Sequence, residues 1–359
     1  MTKLSIYATG TMRSGGSLFQ NFMSVHSEVI IFSGFVNFFR FYDEKYGKMS
    51  VKNLSKILGH LSLRLKIRRG FDLDVNEIFN DLKNIPDLKY SDCYRGIMEN
   101  LKIKANKSIW GEYVTMGWRM IPKYLEYFPE GKAIHIIRDP RAVLTSFGRM
   151  SIMPEGYYLN SIFNWIDSFN YSKIYEQSLS SDRYRVVNFE NIHNDPLNEI
   201  KEICEFLEIK FEENMINSAQ WKNLFDENFV SANISVYSKK EVYGFDINRT
   251  TNWKKSIQEH ELFICDILLS QLENIEKSYS STTSYSLEKT VKNLEKISKY
   301  PLFYNALHRY FRDKEGNDQH VIDPTKPENW DSNKAKTGKF IDSKDYRLYV
   351  SKFNEIMNL

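Results

Sequence analysis

The chain is 359 residues long, 42% hydrophobic and 26% charged, with a formal net charge of +3. That length buries one large core or two modest ones, and the charge is too small to argue for a nucleic-acid partner. Cys93, Cys204 and Cys265 lie far apart without metal-ligand spacing, which fits a reducing compartment and points to no metal site. No apolar run is long enough to span a bilayer, and no leader pattern precedes the first strand. The expectation is a cytoplasmic protein.

Leu4 to Ala8 reads as a short buried parallel strand. Thr9-Gly10-Thr11-Met12-Arg13-Ser14-Gly15-Gly16-Ser17 then turns into a helix through Leu18, Phe19, Phe22 and Val25. Gly10, Gly15 and Gly16 permit a sharp turn and a close approach of backbone to a ligand. A loop feeding a helix N-terminus presents free N–H groups and a positive dipole end, which suits an anion. The spacing is nearly that of a phosphate-binding P-loop, G-x-x-x-x-G-K-[ST], with Gly10, Gly15 and Ser17 in place. Gly16 replaces the lysine, and the positive charge comes from Arg13 inside the loop. The grip on the β- and γ-phosphates of a nucleoside triphosphate is therefore missing.

Val29 to Phe41 reads as a strand or loop entering a short helix, its aromatics hinting at an apolar-walled cleft. Leu54, Ile57, Leu58, Leu61 and Leu65 keep a helical period, and Arg64 to Arg69 reads as a solvated helix end. Ser108 to Glu112 reads as a strand ending in a loop, followed by a helix from Pro122 to Phe128. Ala133 to Ile137 is a second buried strand, with Arg138 at its C-terminal end, where open α/β sheets bind ligands. Asp139-Pro140 makes a helix start, and Ser146 lies about two turns in. Arg138 with Asp139 as a local salt bridge is the competing reading. Tyr184 to Ile192 reads as a third buried strand, and Asn194-Asp195-Pro196 leads into a helix. Residues 231 to 252 read as a long loop or lid, Glu259 to Tyr279 as an amphipathic helix, and Ser280 to Ser284 as a linker. One helical segment and a polar stretch with Pro324 and Pro327 follow. Alternating strands and helices argue for a parallel sheet flanked by helices.

Four stretches together resemble the sulfotransferases that use 3′-phosphoadenosine 5′-phosphosulfate (PAPS). Met12 to Ser17 resembles their phosphosulfate loop P-[RK]-S-G-[TS]-[TS], with Met12 for proline and Gly16 for the first threonine. Arg138 to Ser146 matches their R-D-P-R-x-x-x-x-S segment in full. Phe189-Glu190-Asn191-Ile192 is similar to their Tyr-Glu-Asp-Leu strand end, and Arg249 to Lys254 to their late Arg-x-x-x-Trp-Lys element. The resemblance covers about residues 4 to 280.

It implies a P-loop-like α/β domain over 1–280, with 281–359 a helical C-terminal extension packed on it. It implies sulfuryl transfer from PAPS to a hydroxyl or nitrogen of a small natural product or glycan, leaving adenosine 3′,5′-bisphosphate, with no metal. Arg13, Ser14, Gly15, Gly16, Ser17 and Leu18 would hold the 5′-phosphosulfate, with Arg13 acting as charge builds on the leaving phosphate. Arg138, Ser146 and Arg249 would hold the 3′-phosphate; Phe189 or Trp253 would stack on adenine, with Lys254 beside them. Relatives with Gly-Glu-Lys-Thr-Pro are matched by Gly111-Glu112-Tyr113-Val114-Thr115, which keeps the acid and loses the lysine. Glu112 is the expected base; His60, Asp43 and Glu44 are the other candidates, and His26 is expected to be structural. Two other classes stay open: a P-loop kinase or NTPase, and a catalytically silent nucleotide-binding protein of the same fold.

Overall fold

The computed structural model describes residues 4–69, 71–149, 156–221, 244–273, 275, 279 and 283–313. β1 (Ser5–Gly10) turns into α1 (Gly16–Ser24), then β2 (Val29–Ser33) and the short α2 (Phe38–Phe41). A helical insertion follows, α3 (Val51–Arg69), α4 (Val75–Leu82) and α5 (Tyr90–Lys104), before β3 (Ile109–Thr115), α6 (Ile121–Tyr127) and β4 (Lys132–Ile137). After β4 come α7 (Pro140–Gly148), α8 (Ser161–Ser178), β5 (Tyr184–Asn188), α9 (Phe189–Asn194) and α10 (Pro196–Leu207). The described part ends with α11 (Asn248–Thr251), α12 (Glu259–Leu269), α13 (Leu287–Ser298) and α14 (Pro301–Asp313).

The strands form one parallel sheet in the order β2-β3-β1-β4-β5. Parallel pairing requires crossovers, and helices supply them on both faces. β1 lies at the centre and is buried along its whole length. Ile6 and Ala8 pack with Phe19 of α1 and with Ile200 and Leu207 of α10, while Tyr7 packs on the opposite face with Leu61, Tyr94 and Tyr124. From β1 the chain runs to the edge strand β2; from β4 it runs the other way, to β5. The neighbours β1 and β4 thus send their connections in opposite directions, which opens a crevice past their C-terminal ends.

Several sequence expectations change in three dimensions. Glu112 does not end a strand: β3 continues to Thr115 because its alternate residues serve opposite faces, Trp110 and Val114 one and Ile109 and Tyr113 the other. The aromatics after β2 fill a core rather than line a cleft. Phe35, Phe38, Phe41 and Tyr42 are all buried, and Phe38 stacks on Tyr94 at 4.5 Å. Arg64 is not a solvated helix end either. It is buried, donating Nε to Tyr42 Oη at 3.0 Å and Nη2 to the carbonyls of Phe35 and Val36. The expected helix to Tyr279 stops at Leu269, where Ser270 caps it. Two helices follow instead of one, and Ile297, Phe303, Ala306 and Tyr310 join Phe163 and Ile264 in a third core cluster over α7, α8 and α12. Of the expected loop or lid over 231–252, residues 231–243 lie outside the described residues, and 244–252 include α11; 280–282 of the expected linker, Pro324 and Pro327 also lie outside them. No helix of the described residues is long and apolar enough to cross a membrane.

His135, in the middle of β4, is wholly buried between Tyr184 Oη at 3.0 Å and Ser168 Oγ at 2.7 Å. Burial pushes its imidazole down to about 3. A folded-state value below the unfolded one means the unfolded chain takes up the proton first, so stability present above pH 6.5 is lost as pH falls toward 3. We expect His135→Gln to remove about 1.4 kcal/mol per pH unit from the slope of unfolding free energy between pH 6 and 4. Urea unfolding across that range measures it; parallel slopes for the two proteins would contradict it.

Candidate active site

The loop after β1 closes on itself. Ser14 donates both its N–H and its Oγ–H to the Thr11 carbonyl, at 3.1 and 2.7 Å. Arg13 sits at φ 72° and Gly15 at φ 108°. The left-handed conformation is free for glycine but costs on the order of 1–3 kcal/mol at a side-chain-bearing residue, and such strain gathers where a site over-determines it. A Cβ on Gly15 would also overlap the Phe189 ring. Gly15 caps α1 without a side-chain hydrogen bond, so the first amides of the helix face the crevice with no intrahelical acceptor.

Cationic side chains from three segments converge on this loop. Arg13 donates Nε to Ser146 Oγ at 2.8 Å. Arg138, at the end of β4, donates Nη1 to the Arg13 carbonyl at 2.7 Å and Nη2 to the Arg249 carbonyl at 3.1 Å. Its guanidinium lies 4.1 Å from the Phe189 ring centroid, and its Nε is buried with no hydrogen-bond partner. Burial, with the positive charges of Arg13 and Arg249, pulls Arg138 down to about 10; it stays cationic at neutral pH. Burial and Arg13 also lower Arg249. Mutually destabilised cations around an unpartnered donor and free helix amides make a receptor for a multiply charged anion.

The acid beside them is already committed. Asp139 caps α7 through Arg141 N at 2.9 Å and receives Arg141 Nε and Nη2 at 2.9 and 2.8 Å, so the expected local pair with Arg138 is replaced by one with Arg141. Arg141 also covers the Trp253 ring at 4.2 Å. Glu190 accepts from Asp139 N at 2.9 Å, and burial raises its carboxyl. Asp139, Glu190, Asn191, Thr250, Trp253 and Lys254 are among the residues lining a cavity of about 320 Å³ beside the arginines.

Arg13, Arg138, Ser146 and Arg249 are thus brought together, with Gly15 and Gly16 beneath them. Ser14 is tied into the turn, Leu18 is buried in the core, and Ser17 is exposed in the first turn of α1. Phe189 is 2% exposed, wedged between Arg138 and Gly15, so the structure corrects its assignment as an adenine-stacking face. Trp253 and Lys254 lie at the neighbouring cavity.

The assignment of Glu112 as base is also corrected. It has no exposed surface; Oε1 accepts from Val36 N at 3.0 Å and Asn37 N at 2.5 Å, and Oε2 from Tyr94 Oη at 2.6 Å. Burial raises its carboxyl, opposed by these bonds and by Arg64. Glu112 and Arg64 together pin the turn after β2 from two sides. Glu112→Gln is expected to keep the order of magnitude of turnover, whereas loss of a general base costs roughly 10²–10⁴; kcat measured beside urea unfolding separates the two. The other candidates are likewise occupied. His60 is buried against Tyr46, Asp43 holds Lys123 and Tyr127, and Glu44 holds Lys123. His26 is structural: Nδ1 accepts from Glu28 N, so Nε2–H donates to Lys210 O at 2.7 Å. Sequence reasoning missed Arg64, Arg141 and Tyr113. The signals were that Arg141 is the second arginine of the matched R-D-P-R segment and that Tyr113 stands where relatives have lysine.

A glycine-rich turn from the central strand into an amide-presenting helix, joined by Arg138 from the end of the neighbouring strand and by Arg249 of α11, is the loop geometry of a P-loop-like α/β protein. The Sulfotransferase family model matches residues 5–213, and the chain belongs to that family. No curated protein matches it. Among solved structures it is similar to the sulfotransferase domain of the Synechococcus PCC 7002 olefin synthase, at 17% identity and TM-score 0.47 over 82% of this chain and 94% of that one. The sulfotransferase domain from the curacin biosynthetic pathway gives 16% identity and TM-score 0.47 over 74% and 96%. Sulfotransferase STF9 from Mycobacterium avium gives 11% and 0.38 over 76% and 77%.

Proposed function

We propose that this sulfotransferase moves the sulfuryl group of PAPS to a hydroxyl or nitrogen of a small natural product or glycan, leaving adenosine 3′,5′-bisphosphate. The observation that carries the reading is the convergence of Arg13, Arg138, Ser146 and Arg249 over the open N-terminus of α1. PAPS supplies an activated sulfuryl group on a phosphate leaving group. In this reading the protein contributes positioning and charge stabilisation. The α1 amides and Arg13 receive the charge that builds on the 5′-phosphate. Arg138, through its unpartnered Nε, holds the 3′-phosphate with Ser146 and Arg249 and selects PAPS over nucleotides lacking it. Thr250, Trp253 and Asn191 at the adjoining cavity offer surfaces for the base. Among the described residues no group of three or more His, Cys, Asp or Glu side chains is placed for a metal, and the roles above call on none.

A nucleoside-triphosphate kinase fits less well. Gly16 stands at the lysine position of a P-loop, and a Cβ there would fall inside the Tyr113 ring. The test is incubation with isotope-labelled PAPS and extract of the source cells, following which compound gains the mass of sulfate. Acceptor-dependent release of adenosine 3′,5′-bisphosphate is expected. Bisphosphate binding with no transfer to any acceptor pool would favour the silent protein, and magnesium-dependent ATP hydrolysis the kinase or NTPase.

A further inference from the structure

Gly16 stands where the family loop has threonine or serine, and Tyr113 where relatives have lysine. The two departures meet in space. A Cβ on Gly16 would fall within the Tyr113 ring, with the phenolic oxygen 2.6 Å from it. The volume of the missing side chain is occupied by Tyr113, hydroxyl included. Tyr113 comes from β3, is 4% exposed, and packs in the core beneath α1. Its oxygen lies 3.3 Å from Ser14 Oγ. Since the Ser14 hydroxyl hydrogen goes to Thr11 O, the phenol is the donor of that pair. Burial holds the phenol up at about 12, so it keeps its proton at neutral pH.

We infer that the Tyr113 hydroxyl replaces the hydroxyl absent at position 16, donating to the sulfonate or phosphate oxygen held by the loop and so setting specificity at the 5′ end of the nucleotide. Rotation about the phenolic C–O bond takes the hydrogen from Ser14 Oγ to the anion without moving the ring. The donor is carried by a sheet strand rather than by the loop, which fixes its position more closely. The identity of the anion rests on the sulfuryl-transfer reading; the identity of the donor rests on positions 16 and 113.

Tyr113→Phe keeps the ring over Gly16 and deletes only the donor. Calorimetry should show adenosine 3′,5′-bisphosphate binding weakened roughly ten- to a hundredfold. Adenosine 3′-monophosphate, which lacks the 5′ group, should bind wild type and variant alike. Gly16→Thr with Tyr113→Ala restores a hydroxyl to the loop and should bind the bisphosphate more tightly than Tyr113→Ala alone. Unchanged bisphosphate affinity in Tyr113→Phe, or equal losses for both nucleotides, would show a ring that only fills space and overturn the inference. Wild type binding neither nucleotide would instead overturn the sulfuryl-transfer reading. The inference is then decided with inorganic phosphate: a smaller rise in Tm for Tyr113→Phe than for wild type supports it, and an equal rise rejects it.

Discussion

Arg13→Ala is expected to lower the turnover of sulfate transfer by roughly 10²–10³, the effect of losing one preorganised donor to developing negative charge. Arg13 is the sole charged residue between Gly10 and Ser17. Its backbone is held in the left-handed region while Arg138 grips its carbonyl, so the side chain starts from a fixed position. Its Nε meets Ser146 across the crevice. Affinity for adenosine 3′,5′-bisphosphate should fall less than turnover, because Arg138, Ser146 and Arg249 remain, and an interaction made mainly in the transition state shows in kcat. Arg13→Lys should recover part of the rate, keeping the charge without the planar fork. The measurement is steady-state transfer by wild type and both variants with product binding in parallel. An alanine variant of unchanged turnover would take this loop out of the chemistry.

Arg138→Ala should weaken adenosine 3′,5′-bisphosphate by roughly ten- to a hundredfold, since hydrogen bonds to charged groups are worth about 1.5–3 kcal/mol. Wild type should bind the bisphosphate far better than AMP, and the variant should lose most of that preference. Arg138 also ties the carbonyl of Arg13 to that of Arg249. A lysine has no planar fork to span both, so Arg138→Lys should fall between wild type and alanine. Calorimetry with the two nucleotides decides it. Equal affinity of wild type for AMP and the bisphosphate would remove the 3′-phosphate assignment.

What could be read from the chain alone was what is encoded locally. The apolar run of β1, the glycines after it and the free helix start are set by torsional freedom and periodicity within a few residues, and they pointed to an anion cradle. Asp139-Pro140 opened α7 as read, because an N-cap and a first-turn proline act within one turn. The strand-helix alternation likewise foretold a parallel sheet with helices on both faces. Tertiary structure decided which groups meet and which are spent. Arg13 and Ser146 lie 133 positions apart and touch only because β1 and β4 pair. Glu112 looked free in the sequence, but strand register aims it at the turn holding Val36 and Asn37, where its acceptor capacity is used. The aromatics after β2 are spent on the core beneath α3 and α5. Tyr113 gains its place beside Gly16 only from the packing of α1 on β3. Periodicity assigns a residue to a face; its partner there depends on strand order and on how closely the opposing helix approaches, which distant parts of the chain set together.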